Sequence, residues 1–560
     1  MALQDLSQER RRRLTHRTVP LAAVAAALLV LVVLVAGSCG ASDEESAGAR
    51  FAAAWERSDW AAMHRELTPG AQRRHPPADL QRAYGAAAAT ATATAVDAGR
   101  ARGDGDAAVV DVTLRTRVFG AVRGELRLPM EDARVDWAPH HAFPGLREGE
   151  RLTRQSDPPR RADILARDGT KIASGPARGR TVAPGPAAGI AGQLKPAAAG
   201  PAREAVYARG FPRDWPAGAD GLERIVEDRV AGVPGGTLLA GTRRVAAARP
   251  RPARAVRTTI DPELQAAAVT ALAGRFGGIV ALDARRAEVR ALAGVAFSAP
   301  QPPGSTFKIV TASAALEARQ VKPSTKFPVA TSANIDGVQL QNANGESCGG
   351  SFENSFVHSC NSVFAPVGVR VGAGKLVEMA ERYGFNRPPE LPGAAPSTLP
   401  AAEAVGSDLA VGSTAIGQGK VLATPLTMAL IAHTVANGGV KRTPTLVRGD
   451  PAGRPNRVIS ARTARTLRRF MVGVVRGGTG TAAAIPGTTV AGKTGTAELG
   501  STQGPTGEDA GASDTDAWFT AFAPARKPRL AVAVMLVKAG AGGATAAPAA
   551  RVVLQAGLGR

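Results

Sequence analysis

The sequence predicts a multidomain α+β protein, and three observations carry that prediction: its length, a change of texture along the chain, and the succession of helical and strand-like runs. At 560 residues the chain is too long for one core, so roughly two to four domains are expected. Hydrophobic residues make up 44% and charged residues 21%, the balance of a globular protein rather than a disordered one. Residues 42–142 read as a small α+β domain. A helix is predicted over 47–67, with Phe51, Ala54, Trp55 and Trp60 on its apolar side. A loop rich in Arg and Pro follows at 73–77, then strand-like alternation over 90–96, 109–118 and 122–128. Residues 143–254 are rich in loops and proline and read as an extended linking domain. From residue 255 the texture changes again. Asp261 before Pro262 has the form of a helix cap followed by a first-turn proline, and 277–282 and 288–293 look like two paired strands. The fourth segment, 255–560, carries the chemistry.

A formal charge of +22 raises a nucleic-acid reading, but aromatics are only 4% of the chain and no aromatic–basic stripe is present. No nucleic-acid partner is expected. The charge reads as a solvated basic surface, or as attraction to anionic wall polymers or lipid headgroups. The three cysteines, Cys39, Cys348 and Cys360, lack the short paired spacing of a zinc site, and the seven histidines are scattered. No metal and no cofactor are expected.

The amino terminus, residues 1–41, decides the expected compartment. Arg10, Arg11, Arg12, Arg13 and Arg17 form a basic cluster before an apolar run at 19–36. That run, at about 1.5 Å per residue, gives roughly 27 Å, nearly the thickness of a bilayer core. The positive flank stays inside, which places the rest outside the cytoplasm. Val35-Ala36-Gly37-Ser38-Cys39 also has the form of a lipoprotein cleavage site, with Cys39 to be lipidated. A single membrane anchor and a lipid anchor both stand as readings, and both tether the same body to the membrane.

Pro303-Gly304-Ser305-Thr306-Phe307-Lys308 opens an apolar helical run. Helical residues three apart share a face, so Ser305 and Lys308 are expected to meet, with the hydroxyl in the first turn where free N–H groups favour negative charge. A serine beside a lysine is one way to make a nucleophile without histidine. Alone, Ser-x-x-Lys is weak, since an ordinary helix start with an exposed lysine reads the same. Two further pieces follow in order: Ser359-Cys360-Asn361 between helical stretches, and Lys493-Thr494-Gly495-Thr496 after a strand-like 488–490. Glycine at 495 permits a ligand to lie close to the strand.

These three motifs, with Pro302-Pro303-Gly304 before the serine and Ala491-Gly492 and Ala497-Glu498 around the third, resemble the transpeptidase domain of penicillin-binding proteins. Ile416-Gly417-Gln418-Gly419, Thr424-Pro425-Leu426, Ala517-Trp518-Phe519 and Phe522-Ala523-Pro524 extend the resemblance. It implies an antiparallel sheet flanked by helices, plus an all-helical subdomain. Upstream, Val135-Asp136-Trp137-Ala138-Pro139 and Phe143-Pro144-Gly145-Leu146 resemble class B enzymes with a nuclear-transport-factor-like, cone-shaped amino-terminal domain and a dimerisation domain. Ala162 stands where that dimerisation domain usually has glycine, and Ala166 where it has aspartate. Some members of the branch have low β-lactam affinity, so the resemblance opens antibiotic resistance as a role without establishing it.

The resemblance implies a peptidoglycan DD-transpeptidase acting on stem peptides, with β-lactams as inhibitors. Ser305 would be acylated, Lys308 would take its proton, Ser359 would relay a proton to the leaving amine, and Asn361 would hold Lys308 and the substrate amide. Lys493, Thr494 and Thr496 would bind the terminal carboxylate, and the backbone N–H groups of Ser305 and Thr496 would form the oxyanion hole. A glycosyltransferase motif is not evident, so a separate polymerase partner is expected. Trp518 reads as site wall or as core, and Cys348 and Cys360 as a disulfide or as free buried thiols. A serine β-lactamase would need a deacylating glutamate, and Glu378, Glu381, Glu390 and Glu403 all lack the usual context. A DD-carboxypeptidase differs only in the acyl acceptor, and a non-enzymatic β-lactam sensor or scaffold is the remaining alternative.

Overall fold

The computed structural model describes residues 42–388, 391–451, 453–498 and 515–559. The basic cluster, the apolar run, Cys39 and Glu390 lie outside the described residues. Among the described residues no helix is long and apolar enough to cross a membrane.

The chain forms two compact units. Of the described residues, the first comprises Ser42 to Pro159 with Ala197–Trp215 and Val233–Arg251. Its helices α1 (Asp43–Glu56) and α2 (Pro77–Ala91) belong with an antiparallel sheet of β1 (Ala93–Asp104), β2 (Ala107–Thr116), β3 (Gly120–Glu131) and β4 (Arg134–Val135) in the order β1-β2-β3-β4. Phe51, Leu80, Val110, Leu126 and Trp137 make its core. Two register shifts in β1, at Ala93/Ala95 and Ala98/Ala101, are bulges of the kind that bend a sheet.

Two local elements differ from their sequence expectation. The helix predicted over 47–67 is broken after α1: Ser58 takes φ 55° and Asp59 caps a new short helix, Trp60–Arg65, by accepting the Ala62 N–H at 2.9 Å. The strand predicted over 90–96 starts later, because the alanine-rich α2 runs through Ala91 and ends at Thr92 in the left-handed region.

The stretch 143–254, expected as one linking domain, is divided between the units. Leu152–Asp157, Gly235–Ala240 and Arg243–Ala248 pair into a three-stranded sheet of the first unit. Arg160–Pro196 and Pro216–Gly232 belong to the second, where Ile164, Ile172, Leu222 and Val230 join its main core.

The rest of the second unit is built on a five-stranded antiparallel sheet. Its strands are β5 (Gly277–Asp283), β6 (Val289–Gly294), β7 (Ala491–Glu498), β8 (Thr515–Ala523) and β9 (Leu530–Leu536), in the order β6-β5-β9-β8-β7. Every residue of β8 and β9 is buried, as expected of strands covered on both faces. One face packs on α3 (Pro262–Leu272) and on the carboxyl-terminal helix Ala546–Leu558. Asp261 caps α3 by accepting the N–H groups of Glu263 and Leu264. The other face packs on α7 (Pro425–Ala436) and α8 (Ala461–Gly477), and the helices around the site, α4 (Lys308–Glu317), α5 (Phe352–Val357) and α6 (Asn361–Val371), belong to the same core. The third motif lies inside β7 itself, not after a strand at 488–490.

Candidate active site

Ser305 sits in a 3-10 turn, Gly304–Phe307, that runs directly into α4, rather than in the first turn of the α-helix. In a 3-10 turn residues three apart eclipse, so Ser305 and Lys308 lie on one side. Ser305 is half-buried and Lys308 is fully buried. The turn is held against β7 by close backbone approach. Gly304 has φ 51°, and a Cβ there would lie 2.5 Å from the Thr496 carbonyl oxygen. Gly304 N–H also donates to the Gly417 carbonyl at 3.0 Å, which gives the Ile416–Gly419 motif a structural purpose. Gly495 meets the same turn from the strand, since a Cβ on it would lie 2.6 Å from the Pro303 carbonyl. Only glycines let the nucleophile turn and the strand come this close.

The second motif caps α6. Ser359 takes φ 61°, and Cys360 and Asn361 begin the helix. Cys360 is joined by a disulfide to Cys348, with a Cα–Cα distance of 5.7 Å, so the two thiols are paired rather than free. The bond ties the Ser359–Asn361 turn to the strand Cys348–Ser351.

The three motifs converge on the Ser359 hydroxyl. Lys308 Nζ donates to the Ser359 carbonyl at 2.6 Å, to Asn361 Oδ1 at 2.6 Å and to Ser359 Oγ at 3.3 Å. Lys493 Nζ donates to the same Ser359 Oγ at 2.8 Å and to the Thr494 carbonyl at 3.1 Å. Asn361 Nδ2 donates to the Gln341 carbonyl at 2.7 Å, which fixes the amide so that Oδ1 faces the lysine. Thr496 Oγ1 accepts the Gly542 N–H at 3.3 Å.

Both ammonium groups are 0% exposed. Burial pushes Lys308 well below the ordinary lysine range, and the nearby charge of Lys493 pushes it further. Burial lowers Lys493 to about 7. No carboxylate among the described residues pairs with either lysine. Each instead lies over an aromatic ring, Lys308 at 5.5 Å from the Phe364 centroid and Lys493 at 5.7 Å from that of Phe356. The arrangement supplies a lysine whose hold on a proton is weakened by burial, a serine hydroxyl shared by two lysine side chains, and two buried nitrogens with no carboxylate partner among the described residues.

Three contributors escaped the sequence reading. Thr479 Oγ1 lies 2.6 Å from Thr494 Oγ1, and Phe356 and Phe364 stand over the lysines. Both phenylalanines sit at helical spacing from the second motif, a signal indistinguishable from ordinary core. Trp518 is fully buried in the main core opposite Gly495, as core rather than exposed wall. Among the candidate deacylating glutamates, Glu378 and Glu403 are exposed and Glu381 accepts from Asn386 at 3.3 Å.

Residues 277–555 match the family described as the penicillin binding protein transpeptidase domain. The second unit therefore carries a transpeptidase domain of that family. Among curated proteins the chain is similar to the peptidoglycan D,D-transpeptidase PbpA of Mycobacterium tuberculosis, 38% identical over 294 residues, covering 47% of this chain and 56% of the relative. It is similar also to the penicillin-binding protein PbpB of Mycolicibacterium smegmatis, 33% identical over 294 residues, covering 48% and 44%. The chain thus spans about half the length of the curated relatives it matches. Among solved structures, penicillin-binding protein A from M. tuberculosis as its imipenem acyl-enzyme complex aligns with TM-score 0.57 and 27% identity, over 72% of this chain and 99% of that one.

Proposed function

We propose that the protein is a peptidoglycan DD-transpeptidase that works through an acyl-enzyme on Ser305 and is acylated there by β-lactams. The observation that carries the reading is the Ser359 hydroxyl held between Lys308 and Lys493, with Lys308 directly following the turn that contains Ser305.

The Ser305 Oγ attacks the carbonyl between the two terminal D-alanines of a stem peptide while Lys308, whose pKa burial pushes well below the ordinary lysine range, takes the proton. The new oxyanion is met by the backbone N–H groups of Ser305 and Thr496, brought together by the Gly304 approach; one such donor is worth about 3–4 kcal/mol. The C–N bond then breaks, and Ser359 passes a proton to the departing D-alanine amine. The amine of a second stem peptide attacks the ester, forms the cross-link and frees Ser305. Lys493, with Thr494 and Thr496, balances the terminal carboxylate of the donor strand, which lies along β7 as an added strand.

The helices and bulged antiparallel sheet of the first unit support a nuclear-transport-factor-like reading of residues 42–142, with low β-lactam affinity as the property to measure. The Cys348–Cys360 disulfide supports a location outside the cytoplasm, with the anchor or lipidated Cys39 at residues 1–41 and a separate polymerase as partner. Labelling of wild type and Ser305→Ala with fluorescent penicillin tests the site. The variant is expected to lose all labelling, and persistent label would remove Ser305 from the mechanism.

A further inference from the structure

We propose that a cleft at the far end of the five-stranded sheet, between Arg285 and Arg529, is an accessory site for a ligand carrying a phosphate group. The cleft has a volume of about 500 Å³ and lies within the second unit. Arg285 stands on the β5–β6 turn, and Arg529 leads into β9. The two turns are pinned together: Ala284 N–H donates to the Arg529 carbonyl at 3.0 Å, and Asp283 pairs with Leu530 where β5 meets β9. Two guanidinium stems therefore leave adjoining backbone and face one cleft.

The carboxylates at this cleft are already committed. Asp283 Oδ1 accepts the backbone N–H groups of Arg285 and Arg286 at 3.0 and 2.8 Å, and Asp283 Oδ2 accepts from Arg290 at 3.0 Å. Glu288 pairs with Arg290 at 2.8 Å and with Arg167 at 3.4 Å. Asp261 caps α3. The Arg285 and Arg529 side chains have no carboxylate partner among the described residues. Like charges on adjoining turns are unfavourable unless an anion joins them, and two guanidinium forks match the oxygens of a phosphate.

The rest of the wall is apolar, from Leu264, Pro528 and Leu530. The ligand is thus a phosphate on a body with some apolar surface, and the volume suits a small molecule or one headgroup. The Ser305 site is elsewhere: β7 lies three strands from β5, ~14 Å across the sheet. A ligand here would leave the acylation machinery free.

Two probes separate the sources of the phosphate. Isothermal titration with inorganic pyrophosphate tests a soluble ligand, and co-sedimentation with phosphatidylcholine vesicles, with and without phosphatidylglycerol, tests a lipid headgroup. The wild-type protein is expected to bind at least one probe saturably. Arg285→Ala/Arg529→Ala should weaken that binding by about tenfold or more, because charge-assisted hydrogen bonds are lost. Arg462→Ala/Arg465→Ala, which removes the same charge from exposed positions on α8, should change it less than about twofold. Both variants should label with fluorescent penicillin as wild type does, which shows them folded. Absence of saturable binding to both probes, or equal loss in the two double variants, would overturn the site.

Discussion

Arg161 and Arg180 meet carboxylates in the interior of the second unit, whereas Lys308 and Lys493, equally buried in the same unit, meet none. Arg161 bonds Glu223 at 2.8 Å and Glu227 at 2.7 Å, and Arg180 bonds the other oxygen of Glu223 at 2.7 Å. Around Ser359 the two ammoniums share hydroxyls, carbonyls, an amide and two phenylalanine rings. A buried cluster whose charges are matched has no need of a further anion and acts by holding structure, even where one nitrogen, Arg180 Nη2, stays without a partner. An unmatched one has its lysines pushed toward neutrality and gains when an anion arrives. That difference supports the proposed role of the Ser359 cluster in acylation and sets the Glu223 cluster apart as a clasp.

The contrast breaks first at Lys308. Lys308→Met removes the proposed base and is expected to slow acylation by about 10²–10⁴-fold. Its cost in stability should be small, since an apolar side chain of similar length relieves the burial of a polar amine and offsets the Asn361 and Ser359 acceptors left unmet. Stopped-flow acylation by nitrocefin and thermal melting measure the two effects. A variant that acylates at the wild-type rate would deny Lys308 its role. Glu223→Ala should do the opposite. It takes from Arg180 its Glu223 carboxylate and leaves Arg161 with Glu227 alone, and should cost about 3–5 kcal/mol of stability, with the acylation rate of the folded fraction little changed. A melting temperature unmoved by that substitution would end the reading of Glu223 as a clasp.

Lys493 sharpens the contrast through pH. Its folded value, about 7, is below the unfolded value of 10.5, so between these limits the unfolded chain holds a proton that the folded chain lacks. Stability must then rise with pH across that window, and the burial penalty is fully present below about 7. From pH 7 to 9 the rise is up to about 2–3 kcal/mol. Lys493→Met should flatten it, as read from denaturant midpoints at the two pH values. Equal pH slopes in wild type and variant would show that Lys493 stays charged when buried.

Much of this cluster is legible in the sequence because its parts are local. The three-residue spacing of Ser305 and Lys308 and the short runs at 359–361 and 493–496 carry the chemistry in contiguous residues, and Asp261-Pro262 announces its own helix start. Pairings across long separations leave no such trace. Nothing in the composition of 143–254 tells that Gly235–Ala240 pairs with Leu152–Asp157 while Arg161 reaches Glu223, which is why that stretch reads as one domain and divides into two units. Ser58 is missed for a different reason: a non-glycine residue in the left-handed region interrupts an otherwise continuous helical periodicity.

Thr479 is the hardest of these to read from sequence and tests the finest part of the contrast, whether neutral partners position an unmatched cation. Its hydroxyl lies 2.6 Å from that of Thr494, which is itself 3.4 Å from Lys493 Nζ. Its backbone is placed from two sides: Thr479 N–H donates to the Val357 carbonyl at the end of α5, and a Cβ on Gly543 would lie 2.4 Å from the Thr479 carbonyl. The residue is therefore held where it can orient Thr494 without touching Lys493. Thr479→Val keeps the shape and removes one neutral hydrogen bond, worth about 0.5–1.5 kcal/mol, so acylation should slow by about 2–10-fold. Thr479→Ser should restore most of it. If valine acylates as fast as threonine, Thr494 needs no partner to serve the carboxylate, and positioning of Lys493 rests on Ser359, the Thr494 carbonyl and Phe356.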